Sequence, residues 1–229
     1  MQKTYEIKPI IGDDRDKCLS NVFIKKDVFD KAVGWNNFLK LTHANTKLFN
    51  NEYFTKAQSI KSFIGRTIPF KLLDINSEVQ FTFKTYMNYV RFLGQQIIHE
   101  CTNELHIPDN TELTRWTQGT DMTVHSDNSW PDGDKTDHPT SFRTWSAIYY
   151  LNDDYEGGDF IFPDLKVRVR PEPGMLVCFP SNHHYRHGVE PVTKGQRYSI
   201  VCWATVKGFL TMKQQNQELS QKYGILINN

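Results

Sequence analysis

Near residue 113 the spacing of apolar residues changes from three or four to two, and that break decides what the chain can become. Upstream, Tyr86, Val90, Leu93, Ile97, Cys101 and Leu105 step by three or four, the period of an amphipathic helix. Ser77, with Gln80 three residues on, predicts a capping box at its start, and the run Ile107-Pro108-Asp109-Asn110 predicts its end. A shorter helix is expected from Asp27 as cap through Phe29, Val33 and Phe38. Downstream, alternation predicts strands over 113–117, 121–127, 144–151, 158–162, 165–170, 175–179, 184–188 and 196–205. Gly157-Gly158, the stretch from Pro171 to Gly174, and Lys194-Gly195 punctuate them as turns. Short strands with such turns point to a barrel or a double-sheet jelly roll. The expected fold class is α+β, mainly β, with a double-stranded β-helix (jelly-roll, cupin-like) core and supporting N-terminal helices. One domain over 1–229 is expected: a helix-rich supporting region 1–112, a jelly-roll core 113–206, and a C-terminal helix or tail 207–229. Phe209, Met212, Leu219 and Tyr223 would face inward from that last helix.

Composition removes several classes of function. Lys+Arg number 27 and Asp+Glu 26, a net charge of +1, so no nucleic-acid partner is expected. No run approaches the roughly 20 apolar residues that span a bilayer, so no membrane association is expected. The first eight residues hold no apolar signal core, which argues for a cytoplasmic protein. Of the four cysteines, Cys18, Cys101, Cys178 and Cys202, none sits in a C-x-x-C pair, which removes a Cys-rich zinc site. Cys178 and Cys202 read as buried strand thiols, compatible with a reducing compartment.

The informative triplet is His125-Ser126-Asp127. On a strand, positions i and i+2 point to the same side, so an imidazole and a carboxylate converge. His187 is the candidate third ligand. Two imidazoles and one carboxylate occupy one face of an octahedral ion and leave three positions open, the arrangement of non-haem Fe(II) oxygen chemistry. An H-x-D triplet by itself is a weak signal and better suits a surface histidine beside a capping aspartate. Arg197, ten residues after His187, adds weight. With Ser199, Val201 and Trp203 it lies on one strand face, and a guanidinium facing inward demands an anion. A dicarboxylate that also chelates the metal would supply one; an internal Asp or Glu, or an outward orientation, are the structural alternatives.

These stretches resemble the Fe(II)/2-oxoglutarate-dependent dioxygenases, specifically the prolyl 4-hydroxylase-type subgroup, over about residues 113–205. The resemblance rests on five segments: Gly119 to Asn128 around the H-x-D triplet, Ile148-Tyr149-Tyr150-Leu151-Asn152, Glu156 to Pro163, Val169 to Phe179, and His187 to Ser199 leading to Trp203. It implies His125, Asp127 and His187 as iron ligands and Arg197 on the distal carboxylate of 2-oxoglutarate. It also implies Tyr150 beside that carboxylate, Ser199 assisting Arg197, Ile148 sharing the strand face of Tyr150, and Trp203 on the pocket floor. The cofactors implied are Fe(II), 2-oxoglutarate and O2, with ascorbate a candidate reductant. The activity implied is hydroxylation of an unactivated C–H bond with release of succinate and CO2. A prolyl residue in a peptide or protein is the first substrate choice, a free amino acid or small metabolite the second. A non-catalytic cupin-like metal-binding module is the alternative of another class.

Some residues depart from the family pattern. Arg197 replaces the Lys of many collagen-type members, Trp116 stands where Tyr is frequent, and Met122 where an aromatic is common. Asp127 removes the halogenase branch, which needs that carboxylate missing. Trp203 occupies the position of a second Arg in nucleic-acid demethylases. His183 and His184 compete with His187 for the ligand role, but the spacing to Arg197 favours His187. Trp130, on the polar loop 128–142, is a candidate lid aromatic or a side chain tucked against the rim.

Overall fold

The computed structural model describes residues 22–25, 36–50, 66–103 and 105–206. Among the described residues four helical pieces precede the main strands, one of them a short 3-10 turn (Phe70–Leu72). Helix α1 (Asn36–Ala44) runs into a 3-10 turn (Thr46–Asn50), and the long helix α2 (Glu78–Thr102) follows. Ser77 caps α2 by accepting from the Gln80 N–H, as its side chain suggests. The reciprocal half of the capping box is absent: Gln80 Oε1 accepts from the Asp74 N–H at 3.0 Å instead. The helix buries Phe83, Met87, Val90, Ile97 and Ile98. It stops at Thr102, where Asn103 takes a left-handed conformation (φ 54°) and returns its N–H to His99. Leu105 therefore lies beyond the helix and is exposed, contrary to the periodicity reading.

The strands are β1 (Phe23–Lys25), β2 (Thr67–Pro69), β3 (His106–Thr117), β4 (Met122–His125), β5 (Trp145–Tyr150), β6 (Glu156–Gly157), β7 (Phe160–Phe162), β8 (Val167–Val169), β9 (Leu176–Pro180), β10 (His187–Val189), β11 (Val192–Lys194) and β12 (Gln196–Val206). The major sheet has the order β1-β9-β5-β12-β3-β2, the minor sheet β4-β10-β7-β8, and β11 pairs with β6. Every described pair is antiparallel.

Alternation sorts the major sheet into two faces. One carries Leu113, Ala147, Tyr149, Cys178, Ile200 and Cys202 against Phe38, Phe83, Met87 and Val90 of the helices. The other carries Trp116, Ile148, Tyr150, Val177 and Phe179 against Phe160, Phe162 and Val189 of the minor sheet. Helices cover one face and the second sheet covers the other, so the jelly-roll core with supporting helices is the architecture expected. Burying a side chain of this size is worth roughly 1.5–3 kcal/mol, which is why the period of two fixes register so firmly. Cys178 and Cys202 are both buried in the major sheet.

Several boundaries differ from the sequence reading. The run from Ile107 to Asn110 is part of β3 rather than a terminator. Pro108 is tolerated because β2 pairs only with 112–114, leaving β3 one neighbour there, and the β12 pairing is irregular between Cys202 and Ala204. The sheet thus begins near residue 106, and β1 and β2 bring earlier residues into it. The expected strand 184–188 is a 3-10 turn (His183–Tyr185) followed by β10. The cap at Asp27, the residues Phe29, Val33 and Cys18, and the helix expected over 207–223 lie outside the described residues. No helix among the described residues is long and apolar enough to cross a membrane.

Candidate active site

His125 ends β4 and His187 opens β10, and the two are directly opposed in register. Close approach of the two backbones needs Gly188: a Cβ there would lie 2.8 Å from the Met122 carbonyl oxygen. Asp127 follows β4, its N–H bonded to the Ser181 carbonyl at 3.0 Å. The ligating atoms of His125, Asp127 and His187 all lie within 4.8 Å of one another. His125 Nε2 is 3.6 Å from Asp127 Oδ1, and His187 Nε2 is 3.7 Å from Asp127 Oδ2.

Each imidazole is oriented from behind. His125 Nδ1 lies 2.9 Å from the Thr123 carbonyl and His187 Nδ1 lies 3.0 Å from the Tyr185 carbonyl. These carbonyls accept from Nδ1–H, which leaves both Nε2 lone pairs aimed at the common point. Ser146, from the inward face of β5, donates to Asp127 Oδ2 at 2.5 Å. Burial alone would raise the Asp127 carboxyl, but His187, His125 and Arg143 reverse this and hold it well below the usual carboxylate range. Burial pushes His187 down to about 4, against the pull of Asp127. Burial pulls His125 down, but Asp127 outweighs it and raises it. At neutral pH the site presents a carboxylate and a neutral His187 imidazole, forms that suit a metal ion.

His183 and His184 stand apart from this cluster. Their ring centres lie 3.9 Å apart in the 3-10 turn, tilted by 40°. Trp130 is exposed on the loop 128–142, packed edge-on to His138 at 4.9 Å, with its Nε1 donating to the Thr136 carbonyl.

Arg197 points inward and is 1% exposed. Its guanidinium sits 4.9 Å from the Tyr150 ring centre and 5.6 Å from that of Trp116. Arg197 Nη1 reaches Ser199 Oγ at 3.5 Å, and Ser199 Oγ lies 2.6 Å from Thr114 Oγ1, which Trp116 Nε1 also approaches at 3.3 Å. Three buried polar atoms here lack a well-formed partner: Arg197 Nε, Tyr150 Oη and Tyr155 Oη. Burial raises both phenols above their ordinary value, with Arg197 opposing. Leaving such groups unsatisfied costs about 1–3 kcal/mol each, so this group of donors suits an anion that accepts several hydrogen bonds. Ile148 stands between Tyr150 and Ser146 on the same face of β5, opposite Val201.

Trp203, opposite Ser146, lies under the Arg143 guanidinium at 4.0 Å. Arg143 is itself held by Asp109, at 3.2 Å from Nε. Trp203 Nε1 is buried without a partner. Sequence reasoning missed Thr114, Ser146, Arg143 and Tyr155. Strand alternation could have found the first two, because Thr114 pairs with Ser199 and Ser146 precedes Ile148 by two. Arg143 and Tyr155 lie in connecting segments, where no period applies.

Two histidines and a carboxylate held in one cluster, with an anion-seeking arginine on the neighbouring sheet, fit an octahedral Fe(II) ion with open positions for a chelating 2-oxoacid. Comparison with known proteins agrees. Residues 111–205 match the family model described as the 2OG-Fe(II) oxygenase superfamily. That stretch is therefore similar to the 2OG-Fe(II) oxygenase domain, and relatives that match part of the chain are prolyl hydroxylases. It is similar to prolyl 3-hydroxylase 2 of Rattus norvegicus, 31% identical over 125 residues, 46% of this chain and 18% of the relative. The chain thus spans under a fifth of the length of that relative. In fold it is similar to a Trichoplax adhaerens prolyl hydroxylase solved with a hypoxia inducible factor peptide fragment, at TM-score 0.58 and 18% identity, covering 81% of this chain and 83% of that one. A Pseudomonas putida prolyl-4-hydroxylase gives TM-score 0.55 and 18% identity, covering 82% and 94%. The family works with Fe(II), 2-oxoglutarate and O2.

Proposed function

We propose that this protein is an Fe(II)- and 2-oxoglutarate-dependent dioxygenase that hydroxylates a prolyl residue in a peptide or protein, releasing succinate and CO2. The observation that carries the reading is the buried Arg197, with unsatisfied phenols beside it, in the same jelly-roll interior as the His125–Asp127–His187 cluster. A binding module without turnover has no use for that cationic pocket. The iron supplies the oxidising power when bound. His125, Asp127 and His187 hold it through two Nε2 atoms and one carboxylate. Arg197 takes the distal carboxylate of 2-oxoglutarate, Tyr150 donates to it, and Ser199 with Thr114 steadies the guanidinium. Phe160 and Phe179, with ring centres 5.3 and 4.7 Å from that of His187, help keep water from the His187 side.

The substrate class proposed is a prolyl residue in a peptide or protein. The relatives named prolyl hydroxylases support the same choice. Incubation with Fe(II), 2-oxoglutarate and a panel of proline-rich peptides and free amino acids, read by mass spectrometry, tests this. A one-oxygen gain on a prolyl residue with matching succinate is expected. Oxygen gain confined to free amino acids would remove the peptide assignment, and absence of succinate with every substrate would remove the enzyme.

A further inference from the structure

Among the described residues, Tyr155 is a phenol that faces Arg197 from outside the regular strands, in the turn between β5 and β6. It is 5% exposed, and its hydroxyl, like that of Tyr150, is buried without an acceptor, since the neighbouring Arg197 guanidinium is itself a donor. The ring is held firmly. Arg170 lies over it at 4.8 Å, donates to the Tyr155 carbonyl at 2.8 Å, and also bonds the Gly157 carbonyl and Asp159. Gly158 makes the meeting of Tyr155 and Arg197 possible. A Cβ at Gly158 would lie 3.1 Å from Arg197 Cδ and 3.2 Å from Tyr155 Cε2, and its φ of +67° is one that side-chain-bearing residues rarely adopt. A phenylalanine would fill the same space without burying an unsatisfied oxygen. The hydroxyl therefore needs an acceptor that the protein itself does not provide, and an ionised carboxylate offers about four acceptor sites.

We propose that Tyr155 donates a second phenolic hydrogen bond to the distal carboxylate of the 2-oxoacid, alongside Arg197 and Tyr150, and so sets selectivity for a dicarboxylic cosubstrate. This rests on the reading of the site as a 2-oxoglutarate oxygenase. A carboxylate between one guanidinium and two phenols satisfies all three orphaned groups, whereas a 2-oxoacid ending in a methyl satisfies none. Arg170 acts as a positioning residue that fixes the ring from behind.

The test is equilibrium binding to the full chain loaded with Mn(II), by calorimetry and without turnover. The ligands are 2-oxoglutarate and 2-oxopentanoate, the same skeleton with a methyl in place of the distal carboxylate. Tyr155→Phe is expected to weaken 2-oxoglutarate about 10- to 100-fold, the range for a hydrogen bond to a charged group, and to leave 2-oxopentanoate unchanged. Equal affinity of Tyr155→Phe and the unaltered protein for 2-oxoglutarate would overturn the inference alone. So would an equal loss for both ligands, which marks a packing role. Failure of the unaltered protein to bind 2-oxoglutarate would overturn the oxygenase reading and the inference together.

Discussion

Asp127→Ala will abolish 2-oxoglutarate turnover and lower Fe(II) affinity at least a hundredfold while the β-core stays folded. Asp127 is the single anionic ligand in the cluster, and both histidines approach it within 3.7 Å. Without it the ion would meet two neutral imidazoles and water, and the charge that offsets dehydration of a divalent cation disappears. The fold survives because the carboxylate's neighbours have other partners. Ser146 Oγ, its donor, also lies 2.8 Å from Ser181 Oγ, and the Asp127 N–H bond to Ser181 is made by the backbone. The checks are metal content after gel filtration, succinate release and a thermal melt. Full turnover in the variant would contradict the ligand assignment; collapse of the melt would mean that the carboxylate is structural.

Arg197→Ala will raise the 2-oxoglutarate requirement by roughly 30- to several-thousand-fold. The range converts the 2–5 kcal/mol associated with truncating one partner of a buried, hydrogen-bonded charge pair. Arg197 is almost fully buried and is the cation of the pocket that also holds Tyr150 and Trp116. The effect should fall on the concentration of cosubstrate needed, with saturating 2-oxoglutarate restoring much of the rate, because no ligand to the ion is touched. Arg197→Lys should fall between, since an ammonium keeps the charge but loses the fork. An unchanged requirement would place the cosubstrate's tail elsewhere.

The centre was legible because most of its parts lie on strands or next to them. The i, i+2 spacing predicts that His125 and Asp127 converge, and they do, but Asp127 lies just past β4 and is placed by its backbone bond to Ser181 rather than by the pleat; Arg197 and Ser199 keep the strand relation on β12. The double-sheet architecture follows from the same period of two. What escaped was set by long-range pairing. The short run Thr67–Pro69 becomes β2 only because β3 offers an edge. Pro108 reads as a breaker yet sits in β3 where a second neighbour is missing. Val192 to Lys194 pairs with only Glu156-Gly157, too short a partner to show a period. Tyr155 carries no periodic signal, and only folding brings its hydroxyl to Arg197. Gln80 shows the limit of a local motif: its side chain found Asp74 ahead of the helix rather than the cap itself.

The central claim is that one iron ion and one 2-oxoacid meet in this cavity, and anaerobic absorption spectroscopy tests it most directly. Fe(II) and 2-oxoglutarate added to the unaltered protein should give a visible metal-to-ligand charge-transfer band, lost in His187→Ala and shifted to much higher 2-oxoglutarate concentrations in Arg197→Ala. A featureless visible spectrum from folded, unaltered protein at saturating iron and 2-oxoglutarate would contradict it.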